Sequence, residues 1–228
     1  MGVQRVIICV HLLATKDRPR GVPDDFHSQD YNQSMTTDPT PSIELDELIA
    51  AEFNYIAQTA AQAFEDRARV SSFYLIAVGS LIAGLLGTQF IDAEQLTSNI
   101  KLIFSGIFLL LTLLGTSTVM QLAQLRSAWY ESMMAMNQLK DFAMQQHPEL
   151  VNAFRWKTST LPAKYKRGSV SSYQALEVAV IGGLLFGAAV FFIQYAFSPL
   201  NFLTWIVSLL LGILAVFVQM TIYKRLLT

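Results

Sequence analysis

Glu177 is the one ionisable side chain set inside a long apolar run of this sequence, about one turn beyond Tyr173. An acid in lipid-like surroundings is costly unless a partner or water meets it. Two roles are open to it: pairing with Arg69, Arg126 or Lys224, or lining a cation entrance. Ser105, Thr112 and Thr116 recur at helical spacing in another apolar run and, with Glu177, form the candidate polar path. Little else offers chemistry. His11, His27 and His147 are scattered, Cys9 is the single cysteine, and no nucleotide, nucleophile-elbow or zinc-helix motif occurs. An enzyme, a metal site and a cofactor are therefore not expected, and no residue is assigned a catalytic role.

The surrounding composition names the broad class. Of 228 residues, 53% are hydrophobic and only 14% charged, where a soluble domain carries about a quarter. A net charge of −1 argues against a nucleic-acid binder relying on bulk positive charge. The charge deficit is local. Val70–Ile91 and Leu102–Leu125 are nearly free of charge, and Val178–Tyr223 is twice the length one span needs, with a turn at "FSPLN" (197–201). Four transmembrane helices are expected, at 70–90, 101–122, 173–196 and 202–223. The runs do not alternate, which argues against a β-barrel.

Four segments follow. Residues 1–41 read as a disordered leader, with Met35 as an alternative start. Residues 42–147 hold an amphipathic helix, the first two spans and a helical extension that continues to Pro148. Residues 148–172 are a basic linker, and 173–228 are the second span pair with a basic C-terminus. The stripe Leu45, Leu48/Ile49, Phe53, Ile56, Ala60 and Ala63/Phe64 faces the stripe of 122–147. The expected fold is thus an all-α, integral-membrane four-helix bundle carrying a cytoplasmic antiparallel helical hairpin. A cytoplasmic protein partner would dock at 43–69 or 122–147, where Met133, Met134, Met136 and Met144 serve either as adaptable packing or as the docking surface.

Basic residues set the orientation. Arg67, Arg69, Lys164, Lys166, Arg167, Lys224 and Arg225 flank the apolar runs on one side and are the expected anchors to the bilayer and its anionic inner-leaflet lipids. Both termini are accordingly expected in the cytoplasm, with the chain multi-pass in the inner membrane. Small residues mark the spans: Gly79, Ala83 and Gly87 beside Ser80 and Gly84 in the first, Gly183 and Gly187 in the third, Ser208 and Gly212 in the fourth. Such spacing lets helices approach closely in lipid, either within one bundle or between copies in a homo-oligomer.

The segment "NYIAQTAAQAFEDRARVSSFYLIAVGSLIAGLLG" (54–87) resembles the start of the SLATT family, membrane effector domains of bacterial nucleotide-signalling and conflict systems. Residues 43–147 look like that family's order of a basic helix, paired spans and a further cytoplasmic helix. The resemblance implies an oligomeric pore that depolarises a membrane when triggered. The pair 173–223 lies outside the family's two-span pattern. From the residues alone a second reading stands beside it: a non-transporting structural or adaptor subunit of a membrane complex.

Overall fold

The described residues are nearly all helical, and four long helices account for most of them. The computed structural model describes residues 45–87 and 97–228, so the leader 1–41 and the end of the first expected span lie outside the described residues. Helix α1 is Leu45–Gly87, α2 is Ser98–Gln146, α3 is Val170–Phe197 and α4 is Phe202–Leu227, with 3-10 turns at Pro148–Asn152 and Thr158–Thr160 between α2 and α3.

Each boundary has a local cause. Asp46 and Glu47 sit in the first turn of α1, against the positive end of its dipole. Pro148 follows the end of α2, where its missing N–H and its ring forbid another helical turn. Ser169 caps α3 by accepting a hydrogen bond from the Ser172 amide at 3.3 Å. Asn201 caps α4 more tightly, its Oδ1 accepting from the Thr204 amide and the Thr204 hydroxyl at 2.9 Å each. Gly168, at φ +75°, turns the chain into α3 in a left-handed conformation that side chains other than glycine rarely adopt.

Helix α2 is the hub: it packs on α1, α3 and α4, while α3 and α4 form a close pair of their own. The core joins Tyr74 and Val78 of α1, Phe108, Leu111, Val119 and Leu122 of α2, Ala175, Val178 and Leu185 of α3, and Tyr223 and Leu227 of α4. Outside that core lies an apolar surface. Leu113, Leu184, Leu209 and Phe217 are each more than 60% exposed. Soluble monomers rarely expose contiguous apolar patches beyond a few hundred Å². Helices α2, α3 and α4 are each long and apolar enough to cross a membrane. The first expected span, 70–90, is not among these three, and its last residues, 88–90, lie outside the described residues.

At about 65 Å and 74 Å, α1 and α2 are each more than twice the roughly 30 Å hydrocarbon thickness. They remain together toward the end of α2, where Lys140 Nζ lies 5.8 Å from the Phe53 ring centroid. The basic segment 148–172 is tied back along α2. Asn137 Nδ2 donates to the Lys157 carbonyl and Arg126 Nε to the Lys164 carbonyl, both at 3.3 Å, while Lys164 Nζ lies 3.7 Å from Glu131 Oε1.

Candidate functional site

The candidate polar path divides. Ser105 Oγ donates to the Ala189 carbonyl of α3 at 2.9 Å. Thr112 Oγ1 lies 2.9 Å from the Phe108 carbonyl and 3.4 Å from the Gly182 carbonyl, and Thr116 accepts from Gln219 Nε2 of α4 at 3.2 Å. These three side chains join α2 to α3 and α4 with their polar atoms facing backbone or amide partners. Glu177 is not with them. It is exposed, on the side of α3 that also carries Leu176, Val180 and Leu184, and has no ion pair among the described residues.

The small residues divide as well. A Cβ placed on Gly183 would stand 2.6 Å from the Gly212 carbonyl oxygen and against Val216, and one on Gly212 would stand 2.8 Å from the Gly183 carbonyl. Gly187 faces the Ser208 carbonyl at 3.0 Å. Those residues close the α3–α4 crossing at backbone contact. In α1, by contrast, Ser80 and Ala83 are exposed, and no described residue lies within 4 Å of a Cβ placed on Gly79 or Gly84. Gly87 ends the described part of α1, and its surroundings fall outside the described residues.

The basic side chains separate most sharply. Arg69 is 76% exposed at its side chain and pairs with Asp66 at 3.3 Å. Lys166, Arg167, Lys224 and Arg225 are exposed too, and Lys164 is half-buried. Arg67, two residues before Arg69, is only 6% exposed, and Arg126 of α2 is 8% exposed. The two arginines are close enough that burial and their mutual repulsion hold the Arg67 guanidinium below the usual arginine range, opposed by Tyr223. Burial does the same to Arg126, again opposed by Tyr223. Both remain cations at neutral pH.

All four helices contribute to the surroundings of this pair. Phe64 of α1 lies 5.2 Å from the Arg67 guanidinium, and Trp129 of α2 lies 4.3 Å from that of Arg126. Tyr223 of α4 shares a 2.8 Å hydrogen bond with Ser171, in the first turn of α3, and its ring meets Tyr165 edge-on at 6.5 Å. Arg126 uses Nε on the Lys164 carbonyl, whereas Arg67 Nε is buried without a hydrogen-bond partner. Neither arginine has a carboxylate within 4.0 Å among the described residues.

The opposite end of the apolar helices has a different make-up. Lys101 Nζ sits 3.5 Å from the Tyr195 ring centroid, Ser98 Oγ donates to the Ala196 carbonyl at 3.2 Å, and Trp205 packs on Phe191 at 4.6 Å. From Lys101 to Arg126, α2 rises about 38 Å, which fits between the roughly 30 Å hydrocarbon core and the 40–45 Å that includes the headgroups.

Comparison with known proteins adds no assignment. Protein-family models, curated proteins and solved structures all give no match to this chain. Among the described residues, no three His, Cys, Asp or Glu side chains gather as a metal site would require. Sequence reasoning placed Arg67 among surface anchors and named Arg126 as a partner for Glu177. The signal that finds them is the 3–4 spacing itself: Ile56, Ala60, Ala63, Arg67, Ser71, Tyr74 and Val78 are all buried on one face of α1, and Arg126 follows Leu122 by one turn on the buried face of α2.

Proposed function

We propose that this chain is a multi-pass protein of the bacterial inner membrane that self-associates through α1 and acts as a channel-like effector, conducting ions between subunits. In this reading four apolar segments cross the bilayer. The end bearing Arg67, Arg126, Lys164 and Lys224 is cytoplasmic, with both termini there, and the α1–α2 extension is a cytoplasmic hairpin open to a protein partner. The observation that carries the reading is the open small-residue face of α1, Gly79 to Gly84, which no other part of the described chain covers. In lipid, where apolar burial does not drive helices together, such a face is suited to a second helix. The resemblance of 54–87 to SLATT effectors points the same way.

The experiment is a voltage-sensitive dye in bacterial cells expressing the full chain, beside Gly84→Leu. Among the described residues nothing lies within 4 Å of a Cβ placed on Gly84, so leucine there is expected to leave the subunit fold intact and block only close approach. Collapse of the potential by the parent chain, and its retention with equal membrane amounts of Gly84→Leu, is the expected outcome. A retained potential with the inserted parent chain favours the second reading, a non-transporting adaptor subunit. That reading draws on the internal bonding of Ser105, Thr112 and Thr116, which turns these three hydroxyls toward α3 and α4 and away from a path between subunits.

A further inference from the structure

We propose that Arg67 and Arg126 form a binding site for a phosphate group, set at the depth where the headgroups of a bilayer would lie. Two observations converge. The first is a pair of like charges: Arg67 and Arg126, residues only 6% and 8% exposed, repel one another with no carboxylate within 4.0 Å among the described residues. Asp66, the acid next in sequence to Arg67, is taken by Arg69, and Glu131 faces Lys164. Buried cations ordinarily have a partner, since desolvation is otherwise uncompensated. The second is a donor without an acceptor: among the described residues Arg67 Nε is buried and unpaired, and Arg126 donates from Nε alone.

The partner that suits two such groups is an anion that accepts several hydrogen bonds, and the planar arginine fork matches phosphate better than any halide. The setting suits an ester of phosphate. Ser171, in the first turn of α3, adjoins through Tyr223, so the positive end of that helix dipole adds to the potential. Phe64, Trp129, Tyr165 and Tyr223 supply apolar and aromatic walls. The same chemistry is offered by a phospholipid headgroup and by a soluble phosphate. The site does not require that the protein conduct.

The test uses the full chain, purified in neutral detergent and stripped of lipid, with thermal unfolding and native mass spectrometry as readouts. One arm adds phosphatidylglycerol against diacylglycerol, which has the same tails without the phosphate. The other adds inorganic phosphate against chloride at matched ionic strength. Stabilisation with a retained adduct in the first arm alone assigns a lipid headgroup. Stabilisation by inorganic phosphate, with displacement of the lipid, assigns a soluble phosphate. Arg67→Gln and Arg126→Gln are each expected to weaken binding by roughly tenfold or more, and Arg167→Gln, on the exposed surface, by less than about twofold. Should a glutamine variant not fold, Arg67→Lys and Arg126→Lys decide. They keep the charge and lose the fork, so a phosphate cradle weakens several-fold where simple surface attraction does not change. No stabilisation in either arm, or equal stabilisation in the parent and the arginine variants, overturns the proposal.

Discussion

The α3–α4 crossing and the middle of α1 carry the same kind of small-residue pattern and meet opposite fates. At the crossing, Gly183, Gly187, Ser208 and Gly212 bring two backbones into contact, so the pattern is consumed within the chain. On α1, Gly79, Ser80, Ala83 and Gly84 are exposed and meet no other element among the described residues. Spacing alone therefore says that a helix can be approached closely, and not by what. The difference lies in connectivity. A short turn at 198–201 holds α3 and α4 antiparallel and adjacent, whereas α1 meets α2 through another face, where Tyr74 lies over Gly115.

Substitutions can break this contrast, and Gly183→Leu should act most strongly. Its side chain would enter the space of the Gly212 carbonyl and Val216, neither of which is the free end of a flexible chain. Overpacking of this kind costs about 1–3 kcal/mol and at times more, so the folded fraction in detergent should fall steeply on mild heating; a thermal midpoint equal to the parent's would show that the crossing is not as close as described. Gly115→Ala should come next. The new methyl would lie 2.6 Å from the Tyr74 hydroxyl, and that ring can tilt only by disturbing a core in which it is 2% exposed. A loss of about 1–2 kcal/mol is expected from denaturant titration.

A smaller effect is expected for Gln219→Leu, which removes the bond to Thr116 while keeping the volume. Interhelical hydrogen bonds in membrane proteins average about 0.6 kcal/mol, so unfolding should shift by that order. A several-fold larger loss would make Gln219 a keystone rather than one tie among three. Gly84→Leu should change subunit stability least, by no more than a few tenths of a kcal/mol, while lowering any oligomer seen by crosslinking in membranes. An oligomer undiminished by Gly84→Leu would move the subunit contact away from α1.

Much of the helical plan is legible in the sequence, because it follows from local rules. Pro148 ends α2, Asn201 begins α4 beside the Pro199 turn, and the lack of any proline from Ile43 to Gly87 leaves α1 continuous. The arginine pair is legible in half. Extending the apolar stripe of α1 by one turn reaches Arg67, and extending that of α2 reaches Arg126, but a charge on a stripe is easily taken as the stripe's end. That the two stripes meet at the same height is a tertiary fact, fixed by the α1–α2 register. So is the separation of Glu177 from Ser105, Thr112 and Thr116, since the rotation of α3 about its own axis is set by Ala175, Val178, Ala179 and Gly182, which turn inward. The ties from Asn137 and Arg126 to the 148–172 segment involve backbone carbonyls, which no side-chain pattern announces.

The unbroken backbone of α1 has a mechanical consequence. Between Phe53, beside the end of α2, and Gly84, on the open face, the helix rises about 46 Å with no proline to act as a joint. A rod of this kind transmits rotation. A protein or ligand that turned the Phe53 end about the helix axis would turn the glycine face with it, changing which side of α1 a neighbour meets. Message and receiver would then be two ends of one shaft, and a hinge inserted between them, rather than any change at either end, is what would disconnect them.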